Sequence, residues 1–112
     1  MKLFDITDME AYGYEQRSRN VFHEAPEFKM RVIDLSPGGS MPLCEMASHV
    51  VFVCVEGEAS VTVDGDEVSL TPGQGLVTEP ATLSMRSDTG AKLLGIQIVP
   101  GETPDARGAD RP

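Results

Sequence analysis

Residues 37–57 read PGGSMPLCEMASHVVFVCVEG, and this stretch decides the fold. Pro37-Gly38-Gly39 is a turn, because proline presets one backbone angle and glycine tolerates the left-handed one. Met41–Met46 is a short strand interrupted by Pro42, so it belongs at a sheet edge or at a bend. Val50–Val55 is an unbroken apolar run, expected of a strand covered on both faces. Gly57 then closes the segment.

The same punctuation continues on both sides. Upstream, Lys29–Leu35 alternates and ends at the Pro37 turn. Downstream, Glu58–Val63 alternates, Asp64-Gly65 supplies a strong hairpin signal, and Glu67–Leu70 follows. Pro72-Gly73-Gln74-Gly75 is the next turn; Leu76–Thr78 and Thr82–Arg86 are strands; Asp88-Thr89-Gly90 leads into Lys92–Val99. About eight short strands without a long helix make an all-β sandwich or closed barrel. Residues 1–28 form an N-terminal arm. In it Thr7 can cap a helical turn with Glu10 three residues on, and Val21–Phe22 is a short edge strand. Residues 29–100 form the barrel, and residues 101–112, GETPDARGADRP, have the composition of a disordered tail.

The chain has 112 residues, which is one domain. Its formal net charge is −9, a surface that repels phosphate backbones and anionic membranes. No nucleic-acid partner is expected. No run approaches the ~18 apolar residues of a membrane span, and the N-terminus lacks a signal-peptide pattern. The expected location is cytoplasmic. Cys44 and Cys54 form no CxxC pair, so a structural zinc site is not expected.

Residues 37–57 also resemble the first motif of the cupin family. That motif runs glycine, five residues, histidine, any residue, histidine, three or four residues, glutamate, six residues, glycine. With Gly38 and Gly57 at its glycines, the histidine positions hold Cys44 and Met46, and the glutamate position holds Val50. In the second motif Pro72 and Gly73 match, whereas the last histidine position falls on Ser84. The resemblance implies a single-domain antiparallel jelly-roll barrel whose usual iron or manganese ligands are all replaced. It also implies that Cys44 and Met46 face the barrel interior. Strand alternation then puts Val50, Phe52 and Cys54 inward and His49 and Val51 outward.

Each chemistry-bearing residue has two readings. Cys44 and Met46, joined by His49 if the turn bent it inward, would suit a soft transition metal such as Cu(I); otherwise they fill an irregular apolar interior. Cys44 and Cys54 are either a redox pair or two separate thiols. His49 is a general base or a surface residue, and His23 is a loop residue. Ser84 lacks a nucleophile elbow, and Gly73-Gln74-Gly75 is a turn without the helix or lysine of a phosphate loop. Arg31 and Gln97 interrupt apolar strands, where they would orient a ligand or make rim contacts. The resulting expectation is a non-catalytic barrel, with no cofactor, that binds or senses a small, fairly apolar molecule among Cys44, Met46, Val50, Phe52, Cys54 and Ser84. The alternatives are a metal-dependent dioxygenase or isomerase using Cys44, Met46 and His49, and a structural module with a filled barrel. A homodimer is expected, because the outward Val51, Val53 and Val55 need cover and the arm's Leu3, Phe4, Val21 and Phe22 lack a home.

Overall fold

The computed structural model describes residues 1–98 and shows nine strands. They are β1 (Val21–Glu24), β2 (Phe28–Leu35), β3 (Ser40–Met46), β4 (His49–Gly57), β5 (Ala59–Val63), β6 (Asp66–Leu70), β7 (Gly75–Thr78), β8 (Ala81–Arg86) and β9 (Ala91–Ile98). They form two antiparallel sheets, ordered β1-β2-β9-β4-β7 and β3-β8-β5-β6. The architecture is an antiparallel jelly roll. Val99 and the tail at 101–112 lie outside the described residues.

Local signals explain most joints. Asp64 and Gly65 take φ of +49° and +91°, and Val63 pairs with Asp66. That is a two-residue hairpin turn, whose left-handed backbone suits Asp and Gly. Pro42 lies in β3, an edge strand, where the register to β8 shifts between Met41 and Cys44. A missing N–H is tolerated at such an edge bulge. Gly57 ends β4 at φ +75°, and a Cβ there would sit 2.0 Å from the Gly90 carbonyl oxygen. The two ends of the neighbouring strands meet this closely only because position 57 has no side chain.

β4 lies between β9 and β7 and follows the expected phase. Val50, Phe52 and Cys54 are buried, His49 is exposed, and Val51, Val53 and Val55 are half-buried. Leu83 and Leu93 are fully buried between the sheets, each contributing about 1.5–3 kcal/mol of transfer free energy. The register sets Val77, Val51, Ile96 and Met30 in one row on the outer face of the five-stranded sheet. Val77, at its end, is 73% exposed.

The N-terminal arm departs from expectation in three ways. Asp5, not Thr7, caps the first 3-10 turn (Ile6–Asp8), its carboxylate accepting from the Thr7 amide at 3.0 Å. A second 3-10 segment spans Tyr14–Asn20, which sequence patterning does not mark. β1 runs to Glu24 and pairs with β2, so a boundary between residues 28 and 29 would cut through a sheet. Phe4 packs on Phe22 with ring centres 4.8 Å apart. Lys92, buried on the outer sheet face, donates to the carbonyls of Thr7 (3.2 Å) and Met9 (2.7 Å) and ties the arm down.

Candidate functional site

Between the sheets lies a cavity of about 250 Å³. Cys44 and Met46 enter it from β3, Val50 and Phe52 from β4, and Leu83 from β8. Gly95 forms part of the cavity's β9 wall. Its position on β9 pairs with Arg31 on one side and Phe52 on the other, so it faces the interior. A Cβ at 95 would lie 3.2 Å from Ile33 Cδ1, 3.3 Å from Arg31 Cγ and 3.6 Å from Phe52 Cε1. Two of these distances are shorter than ordinary van der Waals contact, so the missing side chain lets Ile33, Arg31 and Phe52 pack directly against the β9 backbone along this wall.

One end of the cavity is polar. Arg31 Nη2 donates to Gln97 Oε1 at 3.2 Å, and Gln97 Nε2 donates to the buried Ser48 Oγ at 3.3 Å. Arg31 and Gln97 meet diagonally across β2 and β9, within reach of long side chains. Burial lowers the pKa of the Arg31 guanidinium, and the nearby Arg17 charge lowers it further, while Cys44 acts in the opposite sense. The arm completes the wall with Tyr12, Gly13, Arg17 and Asn20. The Asn20 side chain fixes that segment, accepting from the Tyr12 amide at 2.7 Å and donating to the Tyr12 carbonyl at 3.0 Å. Arg19 lies over the Tyr12 ring, 4.0 Å from its centre.

Four of the six residues expected in a pocket, Cys44, Met46, Val50 and Phe52, line this cavity. The other two do not. Cys54 is 1% exposed in the core, its Sγ 3.5 Å from the Glu56 carbonyl and 3.6 Å from that of Gly57. Its thiol pKa is raised, first by burial. Ser84 pairs with Thr62 on the outer face of its sheet, and the inward positions of β8 belong to Leu83 and Met85. The expected frame is therefore off by one residue there, and a one-residue slip exchanges faces. The cavity-lining roles of Tyr12, Asn20 and Gly95 carry no local signal in the sequence, since each depends on distant partners.

The sulfur atoms of Cys44 and Met46 lie 3.9 Å apart. His49 is exposed, on the face of β4 opposite Val50, and does not join them. Both cysteines are free thiols. His23 lies beside Phe28, ring centres 5.6 Å apart. Among the described residues, no group of three His, Cys, Asp or Glu side chains converges on a metal-sized site. The residues at the usual cupin ligand positions do not fit a hard metal: Val50 has no donor atom and Ser84 faces away.

Comparison with solved structures shows the fold to be that of the cupins. A protein of Thermus thermophilus, TT1209, aligns with a TM-score of 0.75 at 24% identity, over 88% of this chain and 97% of that one. A cupin superfamily protein of Desulfitobacterium hafniense aligns at 0.66 and 18% identity, covering 70% and 73%. Salicylate 1,2-dioxygenase of Pseudoaminobacter salicylatoxidans, in adducts with gentisate, aligns at 0.62 and 20% identity, covering 65% of this chain and 20% of that one. No family model matches the sequence, and no curated protein does. No helix among the described residues is long and apolar enough to cross a membrane.

Proposed function

We propose that this protein is a cytoplasmic, non-catalytic cupin that binds a small, largely apolar molecule in its barrel. The cavity of about 250 Å³ bounded by Met46, Val50, Phe52 and Leu83 carries this reading. A well-packed interior has few voids larger than a water molecule, so a hollow of this size, mostly apolar with a few convergent polar groups, has the form of a ligand site. At the ~30 Å³ that a water occupies in the liquid, the hollow suits a molecule of about eight non-hydrogen atoms. The fold neighbours do not choose the chemistry, because cupins that bind and cupins that catalyse share one barrel. The donor set argues against tightly held iron, manganese or zinc. The uncovered end of the outer apolar row at Val77 supports a homodimer.

Titration of 1-hexanol by calorimetry tests the reading. Saturable one-to-one binding is expected, and Gly95→Val, whose side chain pushes Ile33, Arg31 and Phe52 into the cavity, abolishes it while the β-sheet circular dichroism is kept. Binding unaffected by Gly95→Val would refute the cavity as the site. One equivalent of iron, manganese or zinc in protein purified without chelator would instead establish a metal centre.

A further inference from the structure

We propose that the cavity's ligand is a small monocarboxylate, its carboxylate held by the Arg31 guanidinium and its hydrocarbon part lying against Phe52, Val50 and Met46. This rests on the barrel-binding reading and adds the head group to it.

The charge distribution points this way. The chain carries 18 acidic residues against nine Lys and Arg. Yet two of those nine, Arg17 and Arg31, line one small cavity, and the one acidic residue among its described lining is Asp34. Asp34 is exposed, and alternation along β2 turns its side chain to the outer face. Arg17 is exposed at the rim, so the half-buried Arg31 is the charge that the cavity wall holds inside an anionic protein. A cavity meant only for hydrocarbon gains nothing from the Arg31 guanidinium, whose partial burial is costly without an ionic partner.

The local geometry specifies the anion. Arg31 is half-buried, and among the described residues no carboxylate pairs with it. Its hydrogen-bond partner there is the neutral amide of Gln97, which takes one of its donors. A guanidinium has five N–H donors in a planar fork, so a two-pronged edge remains for a carboxylate. The Gln97–Ser48 bond holds the other side of the amide and fixes the direction of the fork. The same burial and Arg17 charge that lower the basicity of Arg31 favour a bound anion. Gly95, paired with Arg31 on one side and Phe52 on the other, puts no side chain between the Arg31 stem and the apolar wall. A carboxylate on Arg31 with five or so carbons toward Phe52 would occupy about the available volume.

The probes are hexanoate, 1-hexanol and hexylammonium, titrated by calorimetry at pH 7 into the full-length protein. Hexanoate is expected to bind at least about tenfold more tightly than hexanol, the ordinary size of a charge-assisted hydrogen-bond advantage, and hexylammonium is expected not to bind. Arg31→Gln should remove that advantage, so that hexanoate binds no more tightly than hexanol to the variant; Arg31→Lys should keep part of it. Should Arg31→Gln fail to fold, the order of the three probes on the unaltered protein decides. Hexanol binding as tightly as hexanoate overturns the head-group assignment and leaves the cavity reading standing. Absence of binding by all three overturns both. Hexanoate affinity unchanged in Arg31→Gln overturns the assignment to Arg31.

Discussion

Gly57→Ala and Gly38→Ala form a matched pair that isolates the cost of a close backbone approach. Both glycines have left-handed backbone, φ +75° and +77°. An alanine at either one bears about 1–2 kcal/mol of steric strain from that conformation. Loss of unfolded-chain freedom offsets about 0.4–1 kcal/mol of it. The surroundings differ. A Cβ at 38 meets nothing within 4 Å, whereas at 57 it meets Gly90 O at 2.0 Å, Gly90 C at 2.9 Å and Ala91 Cα at 2.9 Å. All three are backbone atoms of the turn into β9, whose first residue, Ala91, is buried and pairs with Gly57. Relief means moving that turn by more than an ångström, at a further cost of about 1–3 kcal/mol by the scale of overpacking. Gly38→Ala should therefore destabilise by about 1 kcal/mol, and Gly57→Ala by about 2–4 kcal/mol. Urea unfolding followed by circular dichroism measures both, with slopes compared so that a shifted midpoint reports stability alone. In melting temperature the difference between the variants is about 5–15 °C for a domain of this size. Equal losses in the two variants, or a loss below about 1 kcal/mol for Gly57→Ala, would show that the contact at Gly90 is not as tight as the structure has it.

Burial raises the Cys54 thiol pKa, so folding holds that thiol protonated. The associated stability is fully present below the unfolded thiol value of about 8.5 and is lost as pH rises from there through the folded value. The difference in stability between the native protein and Cys54→Ala should narrow between about pH 8 and 10, and a constant difference contradicts the shift. In the folded protein Cys44, half-buried, should react with a thiol-specific disulfide reagent well before Cys54; equal rates would refute the assignment. Asn20→Ala removes two hydrogen bonds to Tyr12, worth about 1–2 kcal/mol together, so limited proteolysis within residues 1–20 should accelerate while cleavage of the barrel does not. Sedimentation at micromolar concentration should show a dimer that Val77→Glu shifts to a monomer of 12.1 kDa, and a monomer in the unaltered protein removes the proposed interface.

The amino-acid sequence by itself determined the punctuation of this fold and the phase of its central strand. Asp64-Gly65 and the Pro37 turn act through backbone angles, which neighbouring residues alone decide. The inward set Val50, Phe52 and Cys54 follows from the two-residue period of one unbroken strand. Local reasoning failed where a count had to cross turns. Between Pro72 and Ser84 the chain leaves β7 and re-enters as β8, and that junction rather than any residue pattern sets which face Ser84 takes. Only the tertiary structure decided the cavity and its polar end. Arg31 and Gln97 are 66 positions apart and meet through the register of β2 with β9. Lys92 reaches across more than 80 positions to Thr7 and Met9. Gly95 reads in the sequence as a lone glycine in an apolar strand, and its meaning arises only when β2 and β4 bring Arg31 and Phe52 to either side of it. An empty space is a property of three strands at once, so no single stretch of chain encodes it.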